Sequence, residues 1–142
     1  MTQPITGGCL CGAVRFRFDE PPLATRACWC RDCQYLASGN ASVNAIFATR
    51  TFAVTGAVAD YRSVADSGNR MRRSFCPACG TALFARSDDR PDAMVVRAGA
   101  LDDPEIARPA AVIWTASAPS WGHVDPDLPA APRQPAPPTG RR

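Results

Sequence analysis

Residues 28–33, Cys-Trp-Cys-Arg-Asp-Cys, place three thiols within six positions. That density does not suit disulfide bonding, but it does suit a cation. As thiolates, Cys28, Cys30 and Cys33 can hold one soft or borderline metal, and Zn²⁺ fits best. Three protein ligands, not four, is the number found in a zinc site that keeps one position open for water or substrate. A second motif, Cys76-Pro77-Ala78-Cys79-Gly80, reads as a zinc knuckle. Its turn aims two sulfurs at one point, and Gly80 tolerates the positive φ that closes the turn. The third motif is Cys9-Leu10-Cys11. Residues two apart in a regular strand lie roughly 7 Å apart, whereas sulfurs on one zinc sit about 4 Å from each other. The backbone must therefore fold locally, and Gly7, Gly8 and Gly12 permit it.

Cys9, Cys11, Cys76 and Cys79 together make a closed tetrahedral site, which leaves Cys28, Cys30 and Cys33 as an open one. This partition implies two zinc ions per chain. The alternative joins Cys76 and Cys79 to two of the central three; it leaves Cys9 and Cys11 as an orphan pair and explains less. A structural zinc can contribute on the order of 10 kcal/mol to folding, which matters for a small core.

The elements that must position these thiols read as short strands. From Val14 to Phe18, apolar and Arg residues alternate with the period of a half-buried strand. Further strands are expected at 43–48, 51–55, 58–64, 70–75, 82–85, 94–98 and 110–115, with a helical turn at 32–38. Asp66-Ser67-Gly68-Asn69 is a strong hairpin turn. Many short strands between Gly, Pro and Asp turns, with no long amphipathic helix, predict a mainly β architecture. Asp125–Arg142 carries six prolines and almost no large apolar residues. The expected organisation is thus a domain over residues 1–123 and a Pro-rich disordered tail over 124–142.

The chain has 142 residues, 16 basic against 13 acidic, for a net charge of +3. Every basic residue is Arg, which reads as compositional bias. Near-balanced charge with scattered Arg argues against a nucleic-acid partner. No apolar run of about 18 residues indicates a membrane span, and the N-terminus lacks the pattern of a signal peptide. A cytoplasmic location is expected, where seven reduced cysteines favour metal over disulfides.

Three stretches, in this order and at this spacing, resemble the glutathione-dependent formaldehyde-activating enzyme (GFA) family, which includes the CENP-V-like proteins. They are Gly8-Cys9-Leu10-Cys11-Gly12-Ala13-Val14, Cys28-Trp29-Cys30-Arg31-Asp32-Cys33-Gln34 and Phe75-Cys76-Pro77-Ala78-Cys79-Gly80-Thr81. Residues 96–104, Ile113-Trp114-Thr115 and Trp121 add to the likeness, which spans roughly residues 5–122. The resemblance implies a β-tent of mainly antiparallel strands. It implies a structural zinc on Cys9, Cys11, Cys76 and Cys79 and an active-site zinc on Cys28, Cys30 and Cys33. The implied activity joins glutathione to formaldehyde, giving S-hydroxymethylglutathione, a carbon–sulfur lyase reaction run in reverse. The implied partner is therefore a small-molecule thiol of the glutathione type. The chain departs from the common pattern at Trp29, where many members have His.

The remaining candidates carry less. Arg31 and Asp32 either shape the pocket or are ordinary solvated loop charges, and Gln34 and Ser38 offer polar contacts. His123, the only histidine, is read as solvated. Trp29, Trp114 and Trp121 are candidates to line a cleft, with core packing the plainer role for Trp114. Asp88-Asp89 and Asp102-Asp103 read as turn charges. Two other classes compete with the enzyme reading: a zinc-stabilised binding module without turnover, and a zinc–thiolate redox sensor built on Cys28–Cys33.

Overall fold

The computed structural model describes residues 3–138. Ten strands and one short helix follow in order: β1 (Ile5–Gly8), β2 (Arg15–Phe18), β3 (Ala24–Cys28), α1 (Arg31–Leu36), β4 (Ser42–Ala48), β5 (Ala53–Thr55), β6 (Ala59–Val64), β7 (Arg70–Phe75), β8 (Ala82–Ser87), β9 (Ala93–Arg97) and β10 (Val112–Ile113). They form a three-stranded sheet, β1-β2-β5, and a seven-stranded sheet, β10-β3-β4-β9-β8-β7-β6. The pairs are antiparallel except β10 with β3, which is parallel. The fold is mainly β, as the strand-and-turn pattern predicts.

The alternation in β2 does what its period requires. Phe16 and Phe18 are buried while Arg15 and Arg17 face solvent. Those rings close the space between the two sheets: Phe18 stacks on Phe47 at 4.2 Å between centroids, and Phe16 meets Phe84 edge-on at 5.0 Å. Such ring pairs are worth about 0.5–1.5 kcal/mol beyond area burial. Val14, Ala45, Leu83, Met94 and Val96 fill the rest of this core.

The opposite face of the large sheet is left for other use. Arg26 and Cys28 on β3, Asn44 and Ile46 on β4, Val95 and Arg97 on β9, and Met71 and Arg73 on β7 each stand two positions apart on their strand. All of them line one cleft on that face. A second core cluster borders it, built from Cys28, Trp29, Cys33, Val112, Ile113 and Trp114.

Two differences from the sequence expectation matter. The strand expected over 110–115 is confined to Val112–Ile113, because Trp114 adopts the left-handed conformation at φ 58° and turns the chain away. The segment from Asp125 also makes packed contacts as far as Gln134. Val112 N–H donates to the Pro129 carbonyl at 2.9 Å, Ala131 N–H to Val112 at 2.9 Å, and Ala116 N–H to Pro132 at 3.2 Å. Val124, Leu128 and Ala131 pack on the second cluster, and Trp114 Nε1 donates to Gln134 Oε1 at 2.9 Å. Proline has no N–H to give, but its carbonyls accept, so a Pro-rich extended chain can lie along the open edge of β10. Composition alone does not reveal that edge. Residues 139–142 lie outside the described residues.

The packed segment has a measurable consequence. Leu128→Ala is expected to lower stability by about 1–2 kcal/mol, less than a fully buried leucine, because the side chain is only partly covered. Urea unfolding checks it; an unchanged midpoint would show the segment to be loose in solution.

Candidate metal and active site

The structure brings the seven cysteines together in two groups. The sulfurs of Cys9, Cys11, Cys76 and Cys79 all lie within 4.8 Å of one another, and so do those of Cys28, Cys30 and Cys33. Either cluster could hold a metal ion.

The four-sulfur group sits at one end of the sheet-to-sheet core. Cys9 and Cys11 follow β1 in a tight turn, with Gly12 at φ 81°, which breaks the extended spacing and brings the two sulfurs to 3.6 Å. Cys76 and Cys79 lie in the turn between β7 and β8, closed by Gly80 at φ 78° and by Gly80 N–H donating to the Cys76 carbonyl at 2.8 Å. Cys11 and Cys76 sulfurs are 3.8 Å apart across this junction. These separations match tetrahedral bonds of about 2.3 Å. The supporting donors are in place: Val14 N–H reaches Cys9 Sγ at 3.2 Å, and the Thr81 hydroxyl lies 3.1 Å from Cys79 Sγ. Hydrogen bonding from Thr81 holds the Cys79 thiol down at about 5, so this sulfur favours the thiolate a metal needs.

The three-sulfur group is built from one strand end and one helix start. Cys28 ends β3, Cys30 caps α1 with its sulfur accepting from Cys33 N–H at 3.2 Å, and Cys33 lies in the first turn. The resulting loop is fixed from behind. Gln34 is buried, and its Nε2 donates to the Trp29 carbonyl at 2.8 Å and to the Ser117 carbonyl at 3.0 Å. Trp29 is 1% exposed and packs on Gly122, where an added Cβ would lie 2.9 Å from the ring. Neither residue reaches the cleft; both hold the loop that carries the sulfurs. Ser38 is an exposed turn residue at φ 58°. Arg31 packs over the Tyr35 ring at 5.3 Å. His123 is exposed, as is Trp121, and neither lines the cleft.

Cys28, Cys30 and Cys33 form one end of the cleft, which has a cavity volume of about 160 Å³. The four-sulfur group does not line it. Hydrogen bonds from Cys28 and Cys30 hold the Cys33 thiol down at about 3, while contacts with Cys30 and Cys33 push Cys28 up. Of the three, Cys33 is the sulfur whose thiolate form is favoured. Arg97 faces it. Its guanidinium donates to Ser42 Oγ at 3.0 Å and Asn44 Oδ1 at 2.8 Å. Burial draws its proton affinity down, and the neighbouring Cys33 charge pulls it back up. Asp32 turns toward Arg73, whose Nη2 lies 3.2 Å from its carboxylate.

Arg97, Ser42, Asn44 and Arg26 were not visible as site residues in the sequence. One signal was present: Arg26 precedes Cys28 by two positions on a strand and so shares its face. The register then carries the row across the sheet, Arg26 opposite Asn44 and Asn44 opposite Arg97.

Similarity to known proteins agrees with this architecture. The family model of the glutathione-dependent formaldehyde-activating enzyme matches residues 4–117. A protein of Halomonas elongata, described provisionally as a glutathione-dependent formaldehyde-activating enzyme, is 32% identical over 110 residues, covering 74% of this chain and 69% of that protein. A Rhodobacter sphaeroides crystal structure superposes with a TM-score of 0.56 at 19% identity, over 88% of this chain and 98% of the other, and shows a shared fold. With its two cysteine clusters set in a mainly β frame and this match over most of its length, the chain belongs to the glutathione-dependent formaldehyde-activating enzyme family.

Proposed function

We propose that this protein is a zinc-dependent enzyme of the carbon–sulfur lyase type, joining a glutathione-type thiol to formaldehyde or another small aldehyde and releasing it again. The observation that carries the reading is the placement of the sulfurs: the trio lines the cleft and the tetrad does not. Cys9, Cys11, Cys76 and Cys79 would hold a closed structural zinc, and Cys28, Cys30 and Cys33 an open one. All-thiolate donor sets at these separations suit Zn²⁺. Bound there, zinc would supply an open position that takes the substrate thiol and lowers its pKa toward neutrality.

The chain's own residues do the rest. The loop fixed by Gln34 and Trp29 holds the three sulfurs against one wall of the cleft. Arg97 opposes the negative charge gathered there and, through Ser42 and Asn44, is itself held in place. The cleft brings the thiol sulfur and a small carbonyl carbon together, so the gain lies in proximity and orientation. Addition of the sulfur to that carbon leaves an oxygen that takes a proton, and the reverse reaction returns it. The reading implies a protein that works on small molecules. No helix among the described residues is long and apolar enough to cross a membrane.

The test is a metal count joined to a thiol response. Two zinc ions per chain are expected. In the cobalt-substituted protein, added glutathione should change the sulfur-to-metal absorption bands of one site only. The protein should also accelerate formation of S-hydroxymethylglutathione from glutathione and formaldehyde. A single metal per chain whose spectrum ignores every thiol would leave only a zinc-stapled module.

A further inference from the structure

The arginines of this protein divide into two groups by their partners. Arg15, Arg17, Arg50, Arg62, Arg70, Arg72 and Arg108 each lie against an Asp or Glu on the outer surface. Around the cleft the pattern changes. Arg73 is matched by Asp32, and Arg97 by its polar partners and the sulfur trio. Arg26, Arg86 and Arg90 also line the cleft, and among the described residues none of them has a carboxylate partner. The one further acid on the cleft wall is Asp66, in the exposed β6–β7 turn.

In a chain with 13 acidic residues to distribute, this leaves positive charge concentrated in one concave place. Arg26 is half-buried, and so are Arg86 and Arg90. Beyond the sulfur trio, Asp32 and Asp66 are the only acids on this wall among the described residues, and low-dielectric walls focus the field of the remaining guanidiniums. A guanidinium fork is also the side chain best shaped for a carboxylate.

We propose that Arg26, Arg86 and Arg90 form an anion seat beside the sulfur trio, which takes the carboxylates of the thiol ligand. The substrate class is then a thiol carrying carboxylates some distance from its sulfur, and a neutral thiol of the same size is a poor ligand. The identity of the sulfur end rests on the function proposed above; the seat itself does not.

The probe is S-methylglutathione, whose blocked sulfur cannot bind a metal as a thiolate, titrated calorimetrically into the full chain as purified. It is expected to bind, with affinity falling as salt rises. Its diethyl ester, which lacks both carboxylate charges, should bind at least about tenfold more weakly. Arg26→Gln and Arg90→Gln should each weaken the free acid about tenfold or more and narrow its advantage over the ester. Arg90 lies in the turn between β8 and β9, so its substitution keeps the test informative even where Arg26→Gln disturbs the sheet. Arg17→Gln, on a surface pair with Asp19, should change nothing. Equal affinity for acid and ester, or full affinity in Arg90→Gln, would overturn the anion seat. Neutral 2-mercaptoethanol added to the cobalt protein separates the two readings. A spectral response without S-methylglutathione binding keeps the open metal site and removes the seat. Carboxylate-dependent binding with no response to any thiol keeps the seat and removes the proposed function.

Discussion

Cys79→Ser is expected to prevent stable folding, giving a chain with no cooperative unfolding transition and with both metals lost. The four-sulfur group ties the β1–β2 turn to the β7–β8 turn, 65 residues apart between Cys11 and Cys76. Binding free energy at a structural zinc is folding free energy, on the order of 10 kcal/mol or more. The whole stability of a small domain is about 5–15 kcal/mol. Beside the sulfurs, Leu10 N–H donating to Thr81 Oγ1 at 3.1 Å also joins these two turns, a hydrogen bond worth about 1 kcal/mol. Serine keeps the size of the side chain but is a poor zinc ligand, so the loss reads on the metal and not on packing. Circular dichroism and metal analysis check this. A folded Cys79→Ser protein that retained two zinc ions would show that the four sulfurs are not a structural metal site.

Cys30→Ser is expected to behave in the opposite way: a folded protein that keeps one zinc and loses activity to background. Cys30 belongs to a loop held by Gln34, Trp29 and the neighbouring aromatic cluster, none of which depends on its sulfur. The backbone of α1 loses one cap, since the sulfur accepts from Cys33 N–H, at a cost of about 1 kcal/mol that a serine hydroxyl largely restores. Removing one of three protein ligands leaves too few donors for zinc to stay. The decisive comparison is thermal unfolding beside zinc content and turnover in the same preparation. Full metal content in Cys30→Ser, or undiminished turnover, would defeat the open-site reading.

The grouping of the seven cysteines was legible because ligand chemistry constrains spacing more tightly than strand propensity does. Gly12 and Gly80 could be assigned to turns for the same reason: sulfurs that must converge need a backbone that doubles back, and both glycines have positive φ. β1 was harder to see, since Ile5-Thr6-Gly7-Gly8 carries no alternation. Gly7 is where a Cβ would fall 2.3 Å from the Ala100 carbonyl, so close packing and not side-chain pattern selects the residue. Trp29 is a candidate to line the cleft by residue type alone and is core instead, because sequence gives no direction for a side chain in a loop. The cleft arginines stayed hidden for a different reason. In a chain whose only cations are Arg, each one looks alike until the fold shows which of them have acids to face.

The two sulfur groups differ in how much chain each one closes. Cys28, Cys30 and Cys33 are neighbours in sequence, while Cys9 and Cys79 stand at opposite ends of most of the domain. An ion captured by the tetrad becomes locked in with the tertiary structure and leaves only when that structure opens. An ion on the trio sits on a single local loop beside an open cleft, and its exchange needs no global unfolding. Scarcity of zinc would then empty the cleft before it dissolved the scaffold, leaving an intact, idle protein ready to be recharged.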